Sequence, residues 1–290
     1  MLLFVIIILV WGSNWTVTKL ILLSVPPIWS AAIRLIIGSV ALFLVQLCTR
    51  TLIIPTKQDL PVLFVVGIFQ MSLFSGLVAL GLQYISVGHS VVLSYTTPLW
   101  VAPAAVLILH EPVNRLRMIG VFLGIIGVII LFNPSMERMS NTNELVGNFL
   151  LLLASFSWAV AIICIKACQW RSTPFQLVFW QHLLSAGLLS ITAIIVEGVP
   201  HVAVDAKLVV QFAYSGLLAT AFGYWAMIVI NRSLPVIVTS LGMLATPVVG
   251  IVFSQLVLGE KIDLPLVVAG SLILTGIALG CIQPQTDRRK

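Results

Sequence analysis

Ten apolar stretches follow one another along this chain, at 2–23, 27–49, 60–82, 87–109, 115–132, 147–167, 174–196, 207–230, 235–258 and 264–282. Nothing else in the sequence constrains the fold as strongly. A helix rises about 1.5 Å per residue, so about 20 residues cross the ~30 Å hydrocarbon layer of a bilayer. A barrel strand needs about half that length and alternates in polarity, which these stretches do not. With 60% hydrophobic and 8% charged residues, the chain has no material for the charged surface of a water-soluble fold. Residues 2–23 lack the basic start and small-residue cleavage site of a signal peptide, and read as the first span. We expect an all-α membrane protein with ten transmembrane helices and no soluble domain.

Charge adds orientation. The net charge is +6, but no basic run precedes Arg288, Arg289 and Lys290, so the expected partner is the lipid bilayer and not nucleic acid. Arg50, Lys57, Arg115, Arg117, Arg171, Arg232 and the three tail cations fall on connectors of one side, nine in all. Only Arg138, Lys207 and Lys261 fall on the other. That bias places both termini in the cytoplasm. Cys48, Cys164, Cys168 and Cys281 lie in or beside apolar stretches and read as small packing residues, with no disulfide framework or metal site.

The two halves of the chain repeat one another. Trp11, Lys19 and Pro27 recur as Trp158, Lys166 and Pro174 at an offset of 147. At an offset of 149, Gly67, Val87, Pro98, Glu111 and Gly127 recur as Gly216, Val236, Pro247, Glu260 and Gly276. Eight matches in order indicate a duplication. Each half holds five spans, and an odd number makes the second copy enter the membrane upside down. The expected architecture is therefore two inverted five-helix repeats, over 1–134 and 145–282, followed by a short tail at 283–290. The connector 133–146, with Asn133, Pro134 and Asn141 to Asn143, reads as the linker between them.

Inverted-repeat carriers hold their substrate near the midplane, so polar and aromatic residues at span centres are the candidates for a binding site. In the first span Trp11, Asn14, Trp15 and Thr18 share one helical face. In the sixth, Ser155 and Trp158 do. Two readings fit both faces: a cavity wall, or helix packing in which Ser and Asn act as interhelical glue. Gln70 centres the third span, and Tyr95 sits one turn before Pro98. Pro98 and Pro247 should kink the fourth and ninth spans, freeing carbonyls for a ligand or allowing the gating motion of a carrier. Arg34 lies seven residues past Pro27, about 10 Å into the bilayer. An Arg near a helix centre costs about 2.5–3.5 kcal/mol on insertion scales. Its fork suits a carboxylate, but it also suits snorkelling or bonds to backbone carbonyls.

The remaining polar residues read as structural. Lys19 and Lys166, close to span ends, are expected to snorkel. Glu111 and Glu260 are expected to cap the helix that follows each or to pair with Arg115 and Lys261. Gly120 with Gly124, and Gly276 with Gly280, allow close approach, either between the fifth and tenth spans or in a homodimer. No Asp or Glu lies inside a span, and His182 is the only deep histidine. A facilitator or exchanger is therefore the default, and a cationic substrate is disfavoured. His110-Glu111 lacks the second histidine of a zinc-protease motif, and no Gly-x-Ser-x-Gly elbow or phosphate loop is present, so neither an enzyme nor a cofactor is expected.

Three stretches together resemble the drug/metabolite transporter superfamily, EamA-type branch: Trp11-Gly12-Ser13-Asn14; Glu111-Pro112 with Gly120, Gly124 and Gly127; and Gly259-Glu260 with Gly270 and Gly276. The resemblance covers essentially the whole chain. It implies a bacterial inner-membrane carrier that moves small metabolites, often amino acids outward, through a cavity between the halves. On that expectation Trp11, Asn14, Trp15, Gln70, Tyr95 and Trp158 line the cavity, and Arg34 meets a substrate carboxylate near its outer mouth. A flippase for lipid-linked compounds and a non-transporting membrane subunit are the alternatives.

Overall fold

The computed structural model describes residues 1–110, 115–132, 142–234 and 236–281. Glu111, Arg138, most of the connector between the halves and the tail cations lie outside them. The described residues are helical with no strand, and they form ten columns. The first is Leu2–Ile21, the second Pro27–Cys48, the fifth Arg115–Phe132, the sixth Thr142–Ala167, the seventh Pro174–Val196 and the tenth Leu264–Cys281. The third runs through Leu60–Val65, a π-helical segment Val66–Leu73, and Phe74–Gly81. The eighth does the same through Ala206–Ala213, Tyr214–Phe222 and Gly223–Ser233. The fourth is broken into Val87–Ser94 and Thr97–Leu109, and the ninth into Val236–Met243 and Ala245–Leu258. Eight columns are long and apolar enough to cross a bilayer, and the fifth and tenth carry the shorter apolar helices Met118–Phe132 and Leu264–Gly280.

Span starts follow local chemistry. Pro27 and Pro174 occupy the first helical turn, where a missing N–H costs nothing. Thr173 and Gln176 form a reciprocal capping box, and Asp205 Oδ1 accepts from Leu208 N at 2.7 Å. The sixth span begins at Thr142, five residues before the apolar stretch, because its polar first turn is also helical.

The irregularities are duplicated. A proline ring clashes with the carbonyl four residues back, and that residue is Ser94 for Pro98 and Met243 for Pro247. Both helices end on those residues. The fourth and ninth spans also both finish on a left-handed residue, His110 (φ 54°) and Gly259 (φ 67°), one offset of 149 apart. In each π-helical segment a hydroxyl bonds the carbonyl five residues back, Ser72 to Gly67 O and Thr220 to Ser215 O, both at 2.8 Å. Those bonds follow the widened i→i+5 turn.

Acids in the connectors tie one half to the other. Glu260 accepts from Val87 N at 2.9 and 3.1 Å, capping the fourth span and not the helix that follows it. Glu197 accepts from Ile28 N at 2.8 Å and Trp29 N at 3.0 Å, capping the second span. Asp59 accepts from Arg171 N and Ser172 N, both at 2.9 Å, and from Ser172 Oγ at 2.8 Å and Thr56 Oγ1 at 2.7 Å. Burial alone would raise its carboxyl, but the hydrogen bonds from Ser172, Thr56 and Arg171 outweigh that and hold it well below the ordinary carboxylate range. Lys19 does not snorkel: its ammonium donates to Leu82 O, and to Ile85 O at 2.9 Å, closing the end of the third span. The fifth and tenth spans meet through glycine. A Cβ on Gly120 would strike Gly276 O and one on Gly276 would strike Gly120 O, so these glycines are spent within the chain.

Candidate functional site

A cavity of about 420 Å³ lies between the halves. The first span supplies Trp11, Asn14, Trp15 and Thr18, the whole face singled out from its spacing. Trp158 enters from the sixth span. Ser155 does not: it is fully buried, accepting from Thr96 Oγ1 and Trp100 Nε1, both at 2.9 Å. Packing and cavity therefore divide that face between two residues one turn apart. Tyr95 and Pro98 border the cavity at the break of the fourth span, and Arg34 borders it from the second.

One expectation is corrected. Gln70 is not among the lining residues; it sits within the π-helical turn of the third span, which rotates the following residues and presents Phe74 and Ser75 instead. In keeping with the kink expected at Pro247, the ninth span is broken just before it; Pro247 itself is buried in the first turn of Ala245–Leu258, and Met243 and Leu244, at the break, line the cavity.

The site also holds residues that spacing did not single out. Arg34 Nη2 donates to Ser75 Oγ at 2.7 Å. Arg34 is the only charged side chain among the described lining residues. The eighth span contributes Ser215, Thr220 and Tyr224 to the same cavity. Trp11 Nε1 donates to Ala219 O at 2.9 Å, within the second π-helical segment, and its ring stands edge-on to Tyr224 at 6.2 Å. Ser157 Oγ donates to Phe69 O at 2.6 Å, within the first. So each half supplies a donor for a carbonyl in the other half's π turn, where the regular i→i+4 ladder is interrupted. The signal for these segments was present in Gly67 and Gly216. A Cβ on Gly67 would lie 3.3 Å from Gln181 O, and one on Gly216 would lie 3.3 Å from Arg34 O. The third and eighth spans thus approach repeat-related points of the seventh and second.

Several polar atoms at or beside the cavity have no hydrogen-bond partner among the described residues, including Asn14 Oδ1, Ser94 Oγ and Ser215 Oγ. An unmet buried donor or acceptor costs about 1–3 kcal/mol. Such a wall, with one guanidinium, scattered hydroxyls and an amide among indole and phenol rings, suits a small polar molecule bearing a negative end and an apolar body. The described residues contain no group of three or more His, Cys, Asp or Glu able to hold a metal ion.

Comparison with known proteins bears on the same geometry. The description of the EamA-like transporter family matches this sequence twice, over residues 1–133 and 145–280. An uncharacterized transporter of Bacillus subtilis, YoaV, is 26% identical over 269 residues, covering 93% of this chain and 92% of its own. A protein of Salmonella typhimurium named a probable amino-acid metabolite efflux pump is 26% identical over 288 residues, covering 94% and 91%. One crystal structure superposes with a TM-score of 0.66 at 18% identity, over 96% of this chain and 94% of that one, a likeness of fold.

Proposed function

Since this chain belongs to the EamA-like transporter family, we propose that it exports a small amino-acid-like metabolite, zwitterionic or anionic, across the bacterial inner membrane by alternating access. The observation that carries the reading is Arg34: the one charged side chain among the described lining residues is a cation, bonded to Ser75, in a cavity that Trp11 and Tyr224 also line. A carboxylate on Arg34 recovers the cost of keeping a guanidinium at that depth, and the aromatic walls take the remainder of the molecule. The name of the Salmonella relative supports the substrate class, and the excess of cations on one set of connectors supports cytoplasmic termini.

In this reading the halves rock against one another about the breaks before Pro98 and Pro247. Substrate drives the exchange only as far as its contacts differ between the two states. The test is a panel of amino acids, their amides and neutral analogues on purified protein in proteoliposomes. Arg34→Gln should depress transport of the carboxylate-bearing members far more than that of the amides. Equal loss across the panel makes Arg34 a structural residue, and movement of lipid-linked compounds alone replaces the reading with a flippase.

A further inference from the structure

His182 stands one layer behind the cavity, on the seventh span, and is completely buried. Its Nδ1 is 2.7 Å from Val178 O. A carbonyl can only accept, so Nδ1 carries the hydrogen and Nε2 is left as a bare acceptor. No described residue donates to Nε2. Tyr224, which lines the cavity, packs perpendicular to the imidazole with ring centroids 4.9 Å apart, inside the range at which an aromatic ring attracts a cation. Arg34 lines the same cavity as Tyr224. The other titratable surroundings are sparse. The second span presents Arg34, the eighth presents Tyr224, and the third, which also packs on the seventh, contains no titratable residue between Leu60 and Gly81.

We propose that His182 is a proton-binding site, and that a carboxylate seated on Arg34 and a proton on His182 Nε2 bind and cross together, so that a metabolite leaving down its own gradient carries a proton out with it, and a reversed gradient drives the pair inward. The inference rests on the proposed function, since it needs a carboxylate at Arg34. Two cations cannot share a region of low dielectric cheaply. A carboxylate on Arg34 cancels the first charge and makes room for the second, so each ligand favours the other by the same factor. Tyr224 holds in the second half the place of Ser75 in the first, and Gln181, the residue before His182, holds that of Arg34; the Tyr224 phenol both packs on the imidazole and lines the cavity, so the proton's path to Nε2 runs past it.

The experiment uses the full chain in proteoliposomes with trapped pyranine, the membrane potential clamped, and L-amino acids as probes. For a transported probe, proton movement should accompany it in the same direction at about one per molecule. A pH gradient of one unit, acid outside, should drive accumulation of about tenfold, the value of one proton at 1.36 kcal/mol per unit. That arm needs no variant. His182→Gln should retain substrate exchange and lose both proton movement and accumulation. Probe transport without proton movement, or unchanged proton movement in His182→Gln, overturns the proton site and leaves the transport reading intact. Failure of every probe to move overturns the transport reading and this inference with it.

Discussion

Arg34 with Ser75, and His182 with Tyr224, are corresponding pairs with different chemistry: Tyr224 matches Ser75 in the repeat, and His182 follows Gln181, the match of Arg34. Each joins the second column of a half to its third, just past a π-helical turn. In the first half the pair is a charged donor and a hydroxyl, both on the cavity. In the second it is a buried imidazole and a phenol, of which only the phenol reaches the cavity. Duplication has kept the backbone irregularities in both halves and let the side chains diverge. The lesson is that symmetry in this protein belongs to the backbone breaks, and asymmetry to the side chains that line or back the cavity.

The largest expected effect breaks the comparison outright. Losing a hydrogen bond to a charged group costs about 1.5–3 kcal/mol, so Arg34→Gln should reduce carboxylate transport by about 10- to 150-fold relative to amides. Gln181→Ala, at the matching buried position, should leave that ratio within about twofold. Competition between amino acids and their amides in proteoliposomes reads both.

A second contrast lies between the connector acids. Asp59 is fully buried and serves five donors, whereas Glu197 is half-buried and serves two backbone N–H groups. Asp59→Ala should cost about 1–3 kcal/mol and Glu197→Ala about 0.5–2, seen as a fall in thermal midpoint in detergent. The depressed carboxyl makes the Asp59 contribution complete above about pH 4, its unfolded value, and progressively lost as the pH falls below that. Asp59→Ala should flatten that acid limb of the stability profile, and an unchanged limb would refute its assignment to this residue.

Glycine supplies a finer contrast. A methyl on Gly216 would lie 2.6 Å from Ile37 Cγ2, and one on Gly67 would lie 2.9 Å from Leu184 Cδ2. Ile37 is stiff at χ1, while the end of Leu184 can turn aside. Gly216→Ala should therefore destabilise by about 1–3 kcal/mol, and Gly67→Ala by distinctly less. The smallest effect should come from the π-turn hydroxyls. Thr220→Val removes one bond of about 1 kcal/mol, whereas Ser72→Ala removes two, to Gly67 O and to Ser185 Oγ at 2.9 Å, so the midpoint should fall further for Ser72→Ala.

Much of this was legible beforehand. Apolar run lengths located the spans, because lipid accepts only helices of that length with their backbones satisfied. The prolines located both breaks, because the ring's clash reaches a fixed four residues back. Spacing of Trp11, Asn14, Trp15 and Thr18 located one wall of the cavity, because an undistorted helix keeps its faces. Gln70 was misplaced for the converse reason: the π-helical turn adds a residue to the turn, so a face counted at 3.6 residues drifts off the cavity. Tyr224 and Ser75 escaped notice because each follows such a turn. Glu260 was assigned to its own neighbourhood because sequence proximity is silent about the N-terminus that another half brings alongside.

The sequence by itself determined the solvent, the number of crossings, the duplication and the places where helices must break. These depend on solvation and on local sterics, which act over a few residues. Only the tertiary structure decided which polar groups face the cavity, which acid caps which helix, and that Arg34 lies open to the cavity while His182 is enclosed. Those outcomes depend on the packing of columns distant in the chain, and no spacing rule encodes that.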